Sequence, residues 1–509
     1  MQRKQLTLVI VSLLVVVLSV SLAYFTAQII GKGKDVSVTS ANLQIVFTDS
    51  DGALTETDIE PGWSATKTFT IKNDTKTEYK YNIVIKDLVN TFVTNGYLQY
   101  KITTTNGGYN MTEFKDIPKS SAPKDTILAY SVSIPVGVTQ SYTIEFKYAN
   151  DESVDQSDDM GKKLSGTLFI TEGTEEPVTL LSQILKDNPT RSTRSNNNNG
   201  TNDFATTLTT TTTGTLFTST ESITGITDTP KEVYYYAGNT TNNWVKFAGL
   251  YWRIIRTNHD SSIRLLYVGT SHDTTTGNIG TSLFNQNYNS PKYVGYKYGE
   301  DTSLDTIRNN TTDSTIKTTI DTWYQNNLTN YTKYLSTSAV YCNDRSEGTG
   351  QTYSASVKFN FAPYYRMDYD TNGAKANPSY NCTNIKDAFS VDNTSAKLDY
   401  PVSLMTADEI AFAGGVAFQN MSTPYAWFIS NSAGTQVSTD WWSLSPIYWF
   451  GSRARVWRWN SGHAYLNFDY VNSTIAVRPA ISLKSCIKYS TGNGTYETPY
   501  EIVETSSGC

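Results

Sequence analysis

Between Ser141 and Tyr148 the chain reads SYTIEFKY, and its side chains alternate without a break. Tyr142, Ile144, Phe146 and Tyr148 share one parity, and Thr143, Glu145 and Lys147 share the other. A helix would scatter such a set around its circumference, whereas a strand sends successive residues to opposite faces. The stretch therefore predicts a half-buried antiparallel strand. The same alternation runs through ATKTFTIKN (Phe69, Ile71) and YKYNIVIKDL (Tyr81, Ile83, Ile85), with the turn clusters TDSDG and TNGG along the way. Strands punctuated in this manner predict an all-β sandwich over residues 35–173.

Composition supports strands and narrows the partners. Residues are 13% aromatic, with 35 Tyr, and only 17% charged, which favours strands and excludes a coiled coil or a disordered chain. The net charge of −6, with no basic stretch to neutralise phosphates, argues against nucleic acid as a partner. The first 34 residues carry Arg3 and Lys4 and then no charge until Lys32. Residues 1–34 are expected to be a signal peptide, with small residues at Ser21 and Ala23 for cleavage, or a transmembrane anchor if uncleaved. In either case the rest is exported, secreted or held at the cell surface, and only this segment meets the membrane. Four cysteines in an exported chain suggest two disulfides. Three pairings are possible. Cys486 and Cys509 bracket the C-terminal tail and are expected to pair, leaving Cys342 with Cys382. With no CxxC and only His259, His272 and His463, scattered, no metal site and no cofactor are expected.

Residues 174–230 read as a short helix and a linker. PVTLLSQILKDN has Pro177 near its start and an apolar stripe of Leu181, Ile184 and Leu185; Pro189 to Thr215 is low-complexity Asn and Thr. Residues 231–509 read as an α+β domain. VYYYAGNTTNNWVKFAGLYWRIIRTNHDSSIRLLYVG predicts three strands, with Ile254, Ile263 and Leu265 in the core. DSTIKTTIDTWYQNNL predicts a helix capped at Asp313 or Ser314, burying Ile316, Ile320, Trp323 and Leu328. TADEIAFAGG predicts another, with a Thr406/Glu409 capping box and a Gly414-Gly415 stop. Arg478, heading into the apolar VRPAISL, is expected to be buried with a carboxylate partner, Asp408 or Glu409, in a scaffold role.

Two resemblances carry expectations of their own. VSLAYFTAQIIG, IEPGWSATKTFTIKN and DQSDDMGKKLSGTLFI make residues 1–173 similar to the TasA/camelysin class of exported Gram-positive β-sandwich proteins. That likeness implies fibre or matrix building as a competing function. It also raises strand donation by Val36–Val46, although an ordinary first strand is the favoured reading. The order NNWVKFAGLYWRIIR, YCNDRS, TADEIAFAGG, WWSLSP, VRPAISL and GNGTYETPYEI resembles a family of exported bacterial proteins. Its ending is similar to the C-type-lectin-like fold of the formylglycine-generating-enzyme kind, shared with the variable proteins of diversity-generating retroelements. The resemblance implies a rigid scaffold displaying the residues just before its end, the positions that retroelement variable proteins diversify.

That segment, Trp441 to Val471, holds five of the ten Trp. The resemblance places Ala454, Val456, Leu466 and Val471 in the core, with Trp442 as scaffold. The remaining residues, Tyr448, Arg455, Trp457, Trp459, Asn460, His463, Tyr465, Asn467, Asp469 and Tyr470, are expected to face outward and bind a protein or glycan ligand outside the cell. Lectin chemistry does not come with the fold, because EPN, QPD and WND are all missing from this stretch. No catalytic residues are expected: no His sits in a nucleophile context, and Cys486 already has a partner in Cys509.

Overall fold

A computed structural model of the 509-residue chain describes residues 26–30, 36–40, 43–49, 53–56, 59–94, 96–194, 204, 215–367, 377–418, 426–505 and 508–509. The architecture is β-rich, with several sheets and few helices. Contacts divide it into compact units of Met1–Glu176 and Pro177–Cys509.

The first unit has two sheets. Five strands run in the order Ala53–Glu56, Thr26–Ile30, Lys163–Glu172, Tyr79–Asn90, Ser120–Ile134. Six run in the order Val36–Ser40, Leu43–Asp49, Ser64–Asn73, Thr139–Tyr148, Leu98–Thr104, Lys115–Asp116. The alternation seen in the sequence is the alternation of burial: Tyr142, Ile144, Phe146 and Tyr148 meet Ile83, Ile85, Leu168 and Ile170 of the other sheet in one core. Val36–Ser40 pairs with Leu43–Asp49, which pairs with Ser64–Asn73, so this stretch is an ordinary part of its sheet. Thr26–Ile30, counted with the leader, instead pairs in parallel with Lys163–Glu172. The rest of the expected leader, residues 1–25 and 31–34, lies outside the described residues. Among the described residues no helix is long and apolar enough to cross a membrane.

The second unit takes in most of what reads as a linker. The helix Leu180–Asp187, capped by Thr179, buries Leu180 and Ile184 in the main core. Thr190–Thr193 pairs in parallel with Thr215–Glu221, and Phe204 is buried against Phe412. Threonine is β-branched, and a polar Thr-rich run can join a sheet edge when a neighbouring strand supplies the ladder. These strands extend a ten-stranded sheet that continues through Lys231–Tyr235, Leu250–Thr257, Trp244–Phe247, Tyr500–Ile502 and Tyr489–Thr491, with Ile263–Gly269, Pro479–Leu483 and Val402–Leu404 attached. The 231–269 stretch makes four strands rather than three. Ala248 and Gly249 both take positive φ, 56° and 72°, which closes a two-residue hairpin inside FAGL. Ser314 caps the helix Thr315–Asn327, which buries Ile316, Ile320 and Tyr324 and leaves Trp323 partly buried. The Thr406/Glu409 capping box forms as expected.

A second, six-stranded sheet positions the aromatic segment. It runs Thr281–Ser282, Ile475–Ala476, Trp441–Trp449, Ala454–Asn460, Tyr465–Tyr470, with Phe359–Asn360 paired to Trp441–Trp449.

Candidate ligand-binding face

Directly opposed residues in an antiparallel pair point to the same side of a sheet, so the register sorts the candidates. Arg455 stands opposite both Tyr448 and Tyr470, Trp457 opposite Phe468, and Trp459 opposite Leu466. Asp469, Asn467 and Tyr465 stand opposite Val456, Arg458 and Asn460. The residues expected to share one outward surface therefore divide between the two sides of the sheet: Tyr448, Arg455, Trp457, Trp459 and Tyr470 on one, Asn460, Tyr465, Asn467 and Asp469 on the other.

The first side has a roofed end and an open end. Trp457 and Trp459, expected outward, are 0% and 1% exposed. The Phe428 ring meets Trp459 edge-on at 4.9 Å, and Phe418 lies 5.2 Å from Trp457. Phe418 N–H donates to Leu466 O at 3.0 Å and Leu466 N–H to Val416 O at 2.8 Å, which lays residues 416–418 along the sheet edge. Parity identifies the side a residue points to, but not whether a distant segment covers that side. Ala454, Val456, Leu466 and Val471 are fully buried, as is Trp442, whose indole N–H donates to Ser282 O at 3.0 Å.

At the open end Arg455 is half-buried, donating from Nη1 to the Tyr448 hydroxyl at 2.5 Å and from Nη2 to that of Tyr470 at 3.1 Å. Its guanidinium lies 4.7–5.1 Å from the ring centres of Tyr448, Phe450, Phe468 and Tyr470. Tyr448 is itself buried, and burial pushes its hydroxyl's pKa up against the pull of Arg455. Arg453 lies 4.7 Å over Tyr470, and Lys358 lies 4.9 Å over Phe450, a ring 51% exposed. Among the described residues no carboxylate pairs with Arg453, Arg455 or Lys358. Lys358 stands some eighty positions before the aromatic segment and arrives through the pairing of Phe359 with Trp449. Nothing in the local pattern around KFNF could announce it. Phe450 belongs to the segment but lies just past the strand Trp441–Trp449, beyond the reach of the parity argument.

The opposite side satisfies its own charges. Arg458 pairs with Asp440 and, at 3.2 Å, with Asp469, which also accepts from the Ser473 hydroxyl at 2.6 Å. Asn467 donates to the Tyr465 hydroxyl at 3.2 Å. Asn460 accepts from the backbone N–H of His463, whose exposed ring stacks on Tyr465 at 5.8 Å.

Beneath these surfaces the sequence motifs do structural work. Glu409 receives Arg256 at 2.8 Å and Arg264 at 2.5 Å, and Glu221 receives Arg256 at 2.8 Å, all nearly without solvent exposure. Burial pushes the Glu221 pKa up, but Arg256, His259 and Arg264 outweigh it and hold it at about 2. Asp408 and Asp344 share Arg366, and Arg345 of YCNDRS pairs with Asp387 at 2.7 Å. Arg478 is buried as expected but takes neither Asp408 nor Glu409. It donates to the carbonyls of Tyr267 (3.1 Å) and Phe428 (3.3 Å), and its charge lies over the Trp441 ring. Both acids are already committed to other arginines, and several donors of one guanidinium can be met by carbonyls instead. Burial lowers its pKa to about 9.

Cys342 pairs with Cys382 and Cys486 with Cys509, the pairing expected. Asp313, Asp321 and Asp399 come close enough to share an ion, but the Lys317 ammonium already sits among them, at 3.0, 2.5 and 2.6 Å. His272 Nδ1 lies 2.6 Å from the Ser432 hydroxyl, with no carboxylate hydrogen-bonded to that ring among the described residues. No protein-family model matches the chain, and no curated protein is detectably similar to it.

Proposed function

We propose that the chain is an exported surface protein that recognises a ligand through the open end of this sheet face. On this reading the first unit is a TasA/camelysin-like sandwich serving as a stalk, and the second is a C-type-lectin-like head with a binding rather than an enzymatic role. The carrying observation is the cluster of Arg453, Arg455 and Lys358 interleaved with Tyr448, Phe450, Phe468 and Tyr470 and free of carboxylates among the described residues. Rigid aromatic rings with arginine supply large contact area at little rotamer cost, which is the chemistry of binding hot spots. Three cations without counter-charges suit a ligand with acidic or electron-rich groups. Export is supported by the N-terminal charge pattern and by the two disulfides, which persist in oxidising surroundings. The two buried Trp anchor the roofed end of the same side rather than acting as contacts.

The test is a screen of the full-length protein against arrayed glycans and extracellular proteins, repeated with Phe450→Ser and Arg455→Ala. Each change should weaken the strongest hit by about thirtyfold or more, since hot-spot truncations cost about 2 kcal/mol or more. Hits that survive both changes in folded protein refute the assignment.

A further inference from the structure

We infer a second binding site in the same unit: the cleft between the helix Thr315–Asn327 and the segment 285–287 takes an uncharged, polyhydroxylated ligand, a neutral saccharide. The site stands apart from the aromatic face and does not depend on its function. The cleft is open, has a volume of about 600 Å³, and includes Asn285, Tyr298, Asp313, Thr315, Thr318 and Thr322 in its wall. That volume is within the usual range for small-molecule sites, roughly 300–1,000 Å³.

Its chemistry selects the ligand. Hydroxyl and amide side chains dominate the wall, and its one charged group, Asp313, is neutralised by Lys297 at 2.9 Å and Lys317 at 3.0 Å. A charged ligand would find no counter-ion there, and an apolar one would strip water from hydroxyls without replacing the bonds. The threonine protons are spent within the helix: Thr318 donates to Ser314 O at 3.3 Å and Thr322 to Thr318 O at 2.8 Å. Thr315 already accepts from the Gln286 backbone N–H at 3.0 Å. Thr318 and Thr322 therefore turn oxygen lone pairs to the cleft and ask for donors. Opposite them Asn285 is 3% exposed and its side chain meets the Tyr298 hydroxyl. The partly exposed Tyr298 ring adds a flat apolar face. Rows of hydroxyl donors, ring oxygens as acceptors and patches of C–H on one molecule are the features of a sugar.

The experiment is isothermal titration of the full-length protein with maltotriose, mannotriose, the N-acetylglucosamine trimer, lactose and sialyllactose. At least one neutral sugar should bind with Kd near or below about 1 mM. Thr318→Val with Thr322→Val should weaken that binding about tenfold, since both positions are exposed and valine removes only the hydroxyls. Thr318→Ser should retain it, and sialyllactose should bind no tighter than lactose. The inference is overturned if no neutral sugar binds, if the double valine variant binds undiminished, or if only the acidic sugar binds. A loss confined to Arg455→Ala would also overturn it, moving the sugar to the aromatic face.

Discussion

Replacing Trp459 with Ala tests the reassignment of the two tryptophans from surface to core. The side chain is 1% exposed, packed edge-on to Phe428 and against the backbone of Gly415. A buried Trp removes about 150–250 Å² from water, which at about 25 cal/mol per Å² amounts to roughly 4–6 kcal/mol. Measured core Trp truncations cluster at about 3–5 kcal/mol, so about 4 kcal/mol is expected. The second unit has about 330 residues, for which the unfolding entropy is about 0.7 kcal/mol per kelvin, so its Tm should fall by about 6 °C. His463→Ala, an exposed change in the next turn, is the control and should move Tm by less than about 1 °C. Scanning calorimetry of the full-length protein reads both. A Trp459→Ala transition within about 1 °C of the parent would refute the roofed-face account and restore Trp459 to the surface.

Removing the charge of Glu409 by Glu409→Gln should cost about 3–5 kcal/mol by denaturant titration, because Arg264 and Arg256 lose a buried counter-ion; a cost under about 1 kcal/mol would show the pair to be dispensable. Acid should destabilise the same unit. Glu221 is held at about 2 against 4.5 for a free glutamate, so its contribution, about 3 kcal/mol, is complete above roughly pH 4.5 and is lost as pH falls toward 2. Calorimetry between pH 5 and 2.5 should show Glu221→Gln less pH-sensitive than the parent, and parallel curves would sink the assignment.

The sequence by itself determined whatever depends on neighbours in the chain. Alternation from Ser141 to Tyr148 dictated a strand and its buried side, since successive side chains on an extended backbone must diverge. Thr406 and Glu409 dictated a capped helix start, because both capping bonds are local. Cysteine bracketing indicated the disulfides. Tertiary structure decided what depends on long-range approach. Only the fold laid Phe418 over Trp457 and Phe428 over Trp459, split the expected face across two sides of a sheet, and brought Lys358 to Phe450. Only the fold gave Arg478 two carbonyls in place of a carboxylate, since the acids nearest to hand were claimed by Arg256, Arg264 and Arg366. A side chain's direction is set by its own backbone, whereas its cover and its partners are set by segments that local pattern does not encode.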